Sequence, residues 1–303
     1  MNEAMRQYMK VGLIHFMAYP SVSGGQGPIE ETLKKIAVDD YFEVVEITWM
    51  KDPQTRKKAK KIIETAHMTA VYGAQPLLLT TGYNINDIDE NGREQALELL
   101  KSGIDEACEM GAEAFAFLSG KYSEDKKEAA YQALVKSTRQ LCEYAKTKGN
   151  MKIALEVFDY DIDKKSLIGP AALAARFAAE VTAVCDNFGL MVDLSHLPLL
   201  RETPEQSLLP VKDYIIHAHM GNCVVRDPAL PAYGDAHPRF GFPNSENGVE
   251  ELADYLRVLM SIGFISKEKR PIVSFEIKPQ TDEDPDLVVA NAKRVLNLAW
   301  NKV

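Results

Sequence analysis

The chain carries four cysteines in 303 residues, and no two of them form a CxxC pair. Cys108, Cys142, Cys185 and Cys223 stand far apart in apolar surroundings. That pattern argues against a disulfide framework and for buried, reduced thiols in a cytoplasmic setting. No run of 18 apolar residues occurs, and the N-terminal MNEAMRQYMK lacks an apolar signal core. The expectation is a soluble, unexported chain without a membrane partner. Basic residues are outnumbered 35 to 44, giving a net charge of -9, which counts against nucleic acid gripped through its phosphates. A GxGxxG turn is also missing. The nearest match, SVSGGQGPIE, is a longer loop, read here as a lid or turn over a pocket rather than a phosphate cradle.

Apolar runs rich in Val, Ile, Phe and Ala predict eight strands: 11–18, 42–49, 69–73, 112–118, 152–158, 189–194, 214–219 and 271–277. Segments of helical period lie between them, such as PIEETLKKIA, GREQALELLKSGIDEACEMG and DPDLVVANAKRVLNLAW. The connection after strand six, TPEQSLLPV, has room only for a short helix. Strands that are apolar throughout and alternate with helices predict a parallel sheet covered on its faces. Eight such units predict a single (β/α)8 TIM barrel spanning 1–303, since such barrels run to ~250 residues as one domain. Residues 1–10 read as an N-terminal tail. The stretch 220–248, rich in Gly, Pro and Asn, reads as a long loop over the barrel mouth, where substrates are covered.

Four of the later strands end on a potential metal ligand: Glu156 in KIALEVFD, Asp193 in GLMVDLSH, His219 in YIIHAHMG and Glu276 in PIVSFEIKP. A carboxylate at the end of a buried strand is costly to desolvate, and several together repel unless a cation joins them. In a barrel all four face the same end. Three oxygens and one nitrogen suit Mn, Mg, Co or Zn and leave positions for two substrate oxygens.

With LEVFD, VDLSH, HAHMGN, YGDAHPRFG and SFEIKP in this order, the chain resembles the xylose isomerase-like TIM barrel superfamily over nearly its whole length. That superfamily includes sugar isomerases, ketose 3-epimerases, inosose dehydratases and endonuclease IV. The resemblance implies one divalent metal on Glu156, Asp193, His219 and Glu276, with Glu156 and Glu276 also moving the proton. It implies an isomerase or epimerase of a ketose or related small carbohydrate, working through a metal-stabilised enediolate. A lyase acting on an inosose-like ring or a keto-glycoside begins with the same proton abstraction and remains the alternative. An endonuclease IV-like phosphodiesterase is less supported, because VYGAQ and AFLSGK lack the early-strand histidines of that branch. His196 matches a histidine that touches substrate in the epimerases and binds a further zinc in the endonuclease. Asp235 and His237 match the other ligands of that zinc, so the resemblance admits a second metal held by His196, Asp235 and His237. Relatives are often dimers or tetramers, so it also admits a homo-oligomer.

Further substrate-binding candidates are His15, at the end of strand one, Glu46 and Trp49, at the end of strand two, and Arg226. His15 is alternatively a satisfied core histidine, and Glu46 a salt-bridge partner across the mouth. Arg226 follows the strand-seven histidine at a distance where epimerases place a substrate-binding arginine, but GNCVV departs from their sequence. His217, two residues before His219, reads as a support for it. Asp159 and Asp161 either orient substrate or form a solvated turn. Lys278 offsets the local negative charge or meets a substrate anion.

Overall fold

All eight apolar runs form strands, and the strands close in chain order into one parallel barrel. The computed structural model describes residues 3–149 and 151–303. The strands are β1 Lys10–Ile14, β2 Val44–Ile47, β3 Thr69–Gly73, β4 Ala114–Leu118, β5 Lys152–Glu156, β6 Phe188–Asp193, β7 Ile215–Gly221 and β8 Ile272–Glu276. The α-helices are α1 His15–Ala18, α2 Ile29–Ala37, α3 Pro53–Thr65, α4 Gln75–Thr81, α5 Glu90–Met110, α6 Lys127–Lys148, α7 Ala171–Thr182, α8 His196–Leu200, α9 Pro204–Leu208, α10 Val249–Ser261 and α11 Pro285–Trp300. Within the predicted tail, Met5–Gln7 forms a 3-10 turn and Lys10 already starts β1.

Strand alternation divides the core in two. On β5, Ile153 and Leu155 join the large cluster between sheet and helices, whereas Ala154 packs with Ala116 and Met191 in a small separate cluster inside the barrel. Glu156, two residues beyond Ala154, shares its inward face. Small residues let the staves approach. A Cβ at Gly12 would lie 2.2 Å from Ser274 Oγ and 3.1 Å from Val44 Cβ.

Strand one is shorter than the sequence suggests, because His15–Ala18 turns into helix directly after Ile14. A short apolar run does not distinguish a buried strand from a buried helical turn. The same ambiguity hid α4 and α8. His15 consequently leaves the barrel axis. Its Nε2 meets Thr32 Oγ1 of α2 at 2.7 Å, and the ring is buried. The satisfied-core reading of His15 therefore replaces the substrate-binding one.

Two loops cover the mouth. In the first, 19–28, Ser23 O accepts the Trp49 indole N–H at 3.2 Å, and Gly25, at φ +72°, lies against the Trp49 ring where a Cβ would meet Trp49 O at 3.1 Å. The second, 222–248, is fastened at its base. Asn222 Oδ1 accepts from the backbone N–H of Cys223 and Asn247, while Asn247 Nδ2 donates to Leu194 O and Gly221 O.

Gly12→Ala should destabilise the barrel by about 1–3 kcal/mol through overpacking. Removing Ser274 Oγ in the same chain (Ser274→Ala) should restore most of the loss in urea unfolding. His15 gives a pH term: burial lowers its pKa from 6.5 to about 4. The unfolded chain takes up this proton near pH 6.5 and the native ring only near pH 4, so stability falls as pH falls through that window. Between pH 7 and 5 the native protein should lose about 2 kcal/mol more than His15→Leu, measured by urea titration at both pH values.

Candidate active site

The inward carboxylates and imidazole at the ends of β5 to β8 meet in one buried cluster. Glu156, Asp193, His219 and Glu276 are exposed by only 1%, 1%, 1% and 7%. One ligand atom from each lies within 4.8 Å of the others. Register brings them there: Asp193 stands beside His219, and Glu276 beside Gly221, two residues past His219. His219 Nδ1 is 2.8 Å from Glu276 Oε2 and 3.4 Å from Glu156 Oε1. All three atoms are buried without a hydrogen-bond partner among the described residues.

The opposite atoms of these groups are tied down. Gln75 Nε2 donates to Glu156 Oε2 at 2.6 Å, and the Ser195 backbone N–H donates to Asp193 Oδ1 at 2.9 Å. Ser195 Oγ donates to Asp193 Oδ2. His219 Nε2 faces both oxygens of Glu46 at 3.2 and 3.3 Å, and His217 Nε2 donates to Glu46 Oε1 at 2.7 Å. Burial would raise the Glu46 carboxyl, but His217 and His219 outweigh it and hold it well below the carboxylate range. Glu156 and His219, each held at one atom and open at the other, have the arrangement of metal ligands with supporting hydrogen bonds. Neighbouring ligands of a small octahedral cation with bonds of 2.0–2.1 Å stand about 3 Å apart, as the His219 and Glu276 atoms do. The four residues therefore fit a divalent cation.

Protons compete for the same atoms. Burial opposes charge on His219, but Glu46, Glu156 and Glu276 outweigh it and raise its pKa well above the ordinary value. Burial also raises Glu276, reinforced by Glu156 and opposed by His237.

A second cluster adjoins the first. Asp193, His196 and His237 also bring three ligand atoms together. His196 Nδ1 donates to Val157 O at 2.7 Å, and its Nε2 meets Asp235 Oδ1 at 3.1 Å. His237 Nε2 approaches the same oxygen at 2.8 Å, and Lys164 Nζ pairs with Asp235 Oδ2 at 2.8 Å. The surrounding carboxylates overcome burial to raise His196 to about 10 and His237 to about 9. The three residues named for a second metal thus converge, but both Asp235 oxygens already face protein cations. Lys164 supplies a positive charge there.

The remaining candidates separate. Glu46 lies inside the site and grips both strand-seven histidines. Trp49 serves the 19–28 loop through Ser23. Arg226 is on the surface with a 64% exposed side chain, ion-paired with Glu246 at 3.0 Å, which removes it from the substrate-binding set. Asp159 is fully buried and accepts from the backbone N–H of Ile162, Asp163 and Lys164, each at 2.7 Å. Asp161 pairs on the surface with Arg201. Gln75 and Lys164 were missed: a lone glutamine after a strand carries no motif, and Lys164 lies in an acidic-basic run that reads as solvated.

A cavity of about 310 Å³ reaches His219 and Glu276 of the cluster and is lined also by Glu46, Gln75, Lys164 and Asp235 and by the apolar Ile14, Phe16 and Met17. A larger hollow of about 710 Å³ on the outer helix layer, between α2 and α3, is lined by Glu30, Lys34 and Lys58 and their neighbours. It is far from the buried donors, so volume does not locate the chemistry here.

The family model described as xylose isomerase-like TIM barrel matches residues 35–293. The chain belongs to that family. Among known structures, similar chains include D-psicose 3-epimerase from Clostridium cellulolyticum H10, solved with D-tagatose, at 15% identity and TM-score 0.71, covering 97% of this chain and 99% of that one. An L-ribulose 3-epimerase is 18% identical with TM-score 0.71, covering 97% and 95%. The 3-keto-D-glucoside 4-epimerase of E. coli is 16% identical with TM-score 0.67, covering 97% and 99%. At these identities the likeness establishes the xylose isomerase-like fold. No curated protein matches the chain. Among the described residues, no helix is long and apolar enough to cross a membrane.

If the four strand-end residues hold a cation, Mn should raise the melting temperature of the native protein, because a ligand at 100 times its Kd adds about 2.7 kcal/mol. Asp193→Asn should blunt that rise and lower the metal retained after dialysis. Unchanged metal content would remove Asp193 from the ligand set.

Proposed function

We propose that this protein is a metal-dependent isomerase or epimerase of a ketose or related small carbohydrate. The observation that carries the reading is the set of buried atoms on Glu156, His219 and Glu276 that have no hydrogen-bond partner among the described residues, beside Asp193, with His219 and Glu276 lining the mouth cavity. The family and its epimerase-named structural neighbours support it. A bound divalent cation would supply positive charge where negative charge develops on substrate oxygens, a contribution of several kcal/mol to the barrier.

The chain's own groups supply the proton chemistry. Glu156 and Glu276 approach His219 from β5 and β8, so two carboxyl groups border the place where a sugar would sit. Gln75 fixes Glu156 in orientation. Burial raises the Glu276 pKa, which favours its holding a proton, as required of a group that returns one. His217 and Glu46 hold His219 from below. Ile14, Phe16 and Met17 add apolar lining to the cavity.

Incubation of the Mn-loaded enzyme in heavy water with free and phosphorylated ketoses and inososes should give metal-dependent deuterium beside a carbonyl, read by NMR. Glu156→Gln should keep the fold and lose at least about a hundredfold of that exchange, the lower range for general acid–base catalysis. Full exchange in the variant would withdraw Glu156 from proton transfer. Exchange accompanied by loss of water or of an alcohol would place the enzyme among lyases.

A further inference from the structure

The mouth cavity has a neighbour. A second cavity of about 270 Å³ opens beside it, and the two share Leu79 of α4 and Lys164 of the loop after β5. Its walls are preformed. Lys121 bridges to Ser166, and the Leu167 N–H donates to Gly120 O at 3.0 Å, which joins the loops after β4 and β5. Asn84 and Asn86 fasten this floor to the end of α4 by donating to Lys121 O at 2.9 and 3.0 Å. Above the floor stand Leu79, 50% exposed, and Tyr83, 42% exposed.

Size and chemistry argue together. Cavities for drug-sized ligands span roughly 300–1,000 Å³. The mouth cavity alone sits at the lower limit and the second just under it, whereas together they lie well within the range. A phenol ring and a leucine exposed over a polar floor suit a ring with an apolar face and a polar edge. At the junction, Lys164 gives two of its three protons to Asp163 and Asp235, at 3.1 and 2.8 Å. One donor is left for an oxygen that joins two rings.

We propose that the second cavity is a subsite for a ring in glycosidic linkage to the reacting sugar, so that the preferred substrate is a glycoside rather than a free monosaccharide. The inference rests on the sugar reading above and adds the identity of what the sugar carries. One ring occupies the mouth over Glu156 and Glu276, and the other lies against Tyr83 and Leu79.

The test uses the full-length Mn-loaded protein and matched keto sugars: 3-ketoglucose, its methyl glycoside, its phenyl glycoside and a 3-keto disaccharide. Deuterium exchange should be at least tenfold more efficient, in kcat/KM, for the two-ring compounds. Tyr83→Ala and Lys121→Ala should each raise KM for those compounds about fivefold and leave 3-ketoglucose unchanged. Equal efficiency for one-ring and two-ring compounds, or equal losses in both, would overturn the subsite. In parallel, ligand-observed NMR would compare binding of phenyl glucoside and maltose with that of glucose. Tyr83-dependent binding of the two-ring ligands without exchange from any keto sugar would keep the subsite and remove the proposed function. Binding no tighter than that of glucose would remove the subsite whatever the exchange shows.

Discussion

The constraint on which the rest of this molecule depends is the burial of acidic side chains at one end of a closed barrel. Glu46, Glu156, Asp193, Asp235 and Glu276 all lie in the interior. Left to themselves, such carboxylates would take up protons or force the mouth open. The chain answers with three arrangements. Glu46 is held between His217 and His219, and Asp235 among His196, His237 and Lys164. Around Glu156 and Glu276 compensation by protein groups is incomplete, and atoms of both, with His219 Nδ1, have no hydrogen-bond partner among the described residues. The candidate site is thus the part of the acidic cluster that the chain does not neutralise by itself.

Barrel geometry makes this arrangement reproducible. Inward positions two residues apart on neighbouring strands are related by fixed register, so a histidine on β7 reaches carboxylates from β5, β6 and β8 without a flexible loop intervening. The lower interior uses small groups, Gly12 against Ser274 and Ala116 beside Ala154. The charged layer therefore rests on closely packed staves. Positions fixed by strands are held more tightly than positions on loops, which suits a site where donor atoms must stand about 3 Å apart.

Most of this was legible in the sequence because each signal was local. An apolar run closing on Glu, Asp or His reports both a strand and the direction of its last side chain, so all eight strands and the four central residues could be read directly. Failures came where meaning depended on partners distant in the chain. His15 looks like a strand-end ligand until the helical turn it begins directs it to Thr32. Arg226 has a suitable spacing in number but not in path. Gln75 and Lys164 acquire significance only through Glu156 and Asp235, which lie 81 and 71 positions away. No periodicity encodes such pairs, since they arise when barrel closure sets the ends of non-adjacent strands side by side.

The fastening of the 222–248 loop at its base has a consequence for how such a barrel can vary. Asn222 and Asn247 close the loop independently of its tip, where 226–229 are exposed. Once the ends are joined, each doubling of the enclosed length costs only about 0.6 kcal/mol in closure entropy. The tip can therefore lengthen, shorten or change composition almost freely, while Asp235 and His237 remain anchored among the buried charges. The lining of the mouth cavity and the canopy above it are separable modules, and the canopy can diversify while the floor stays fixed.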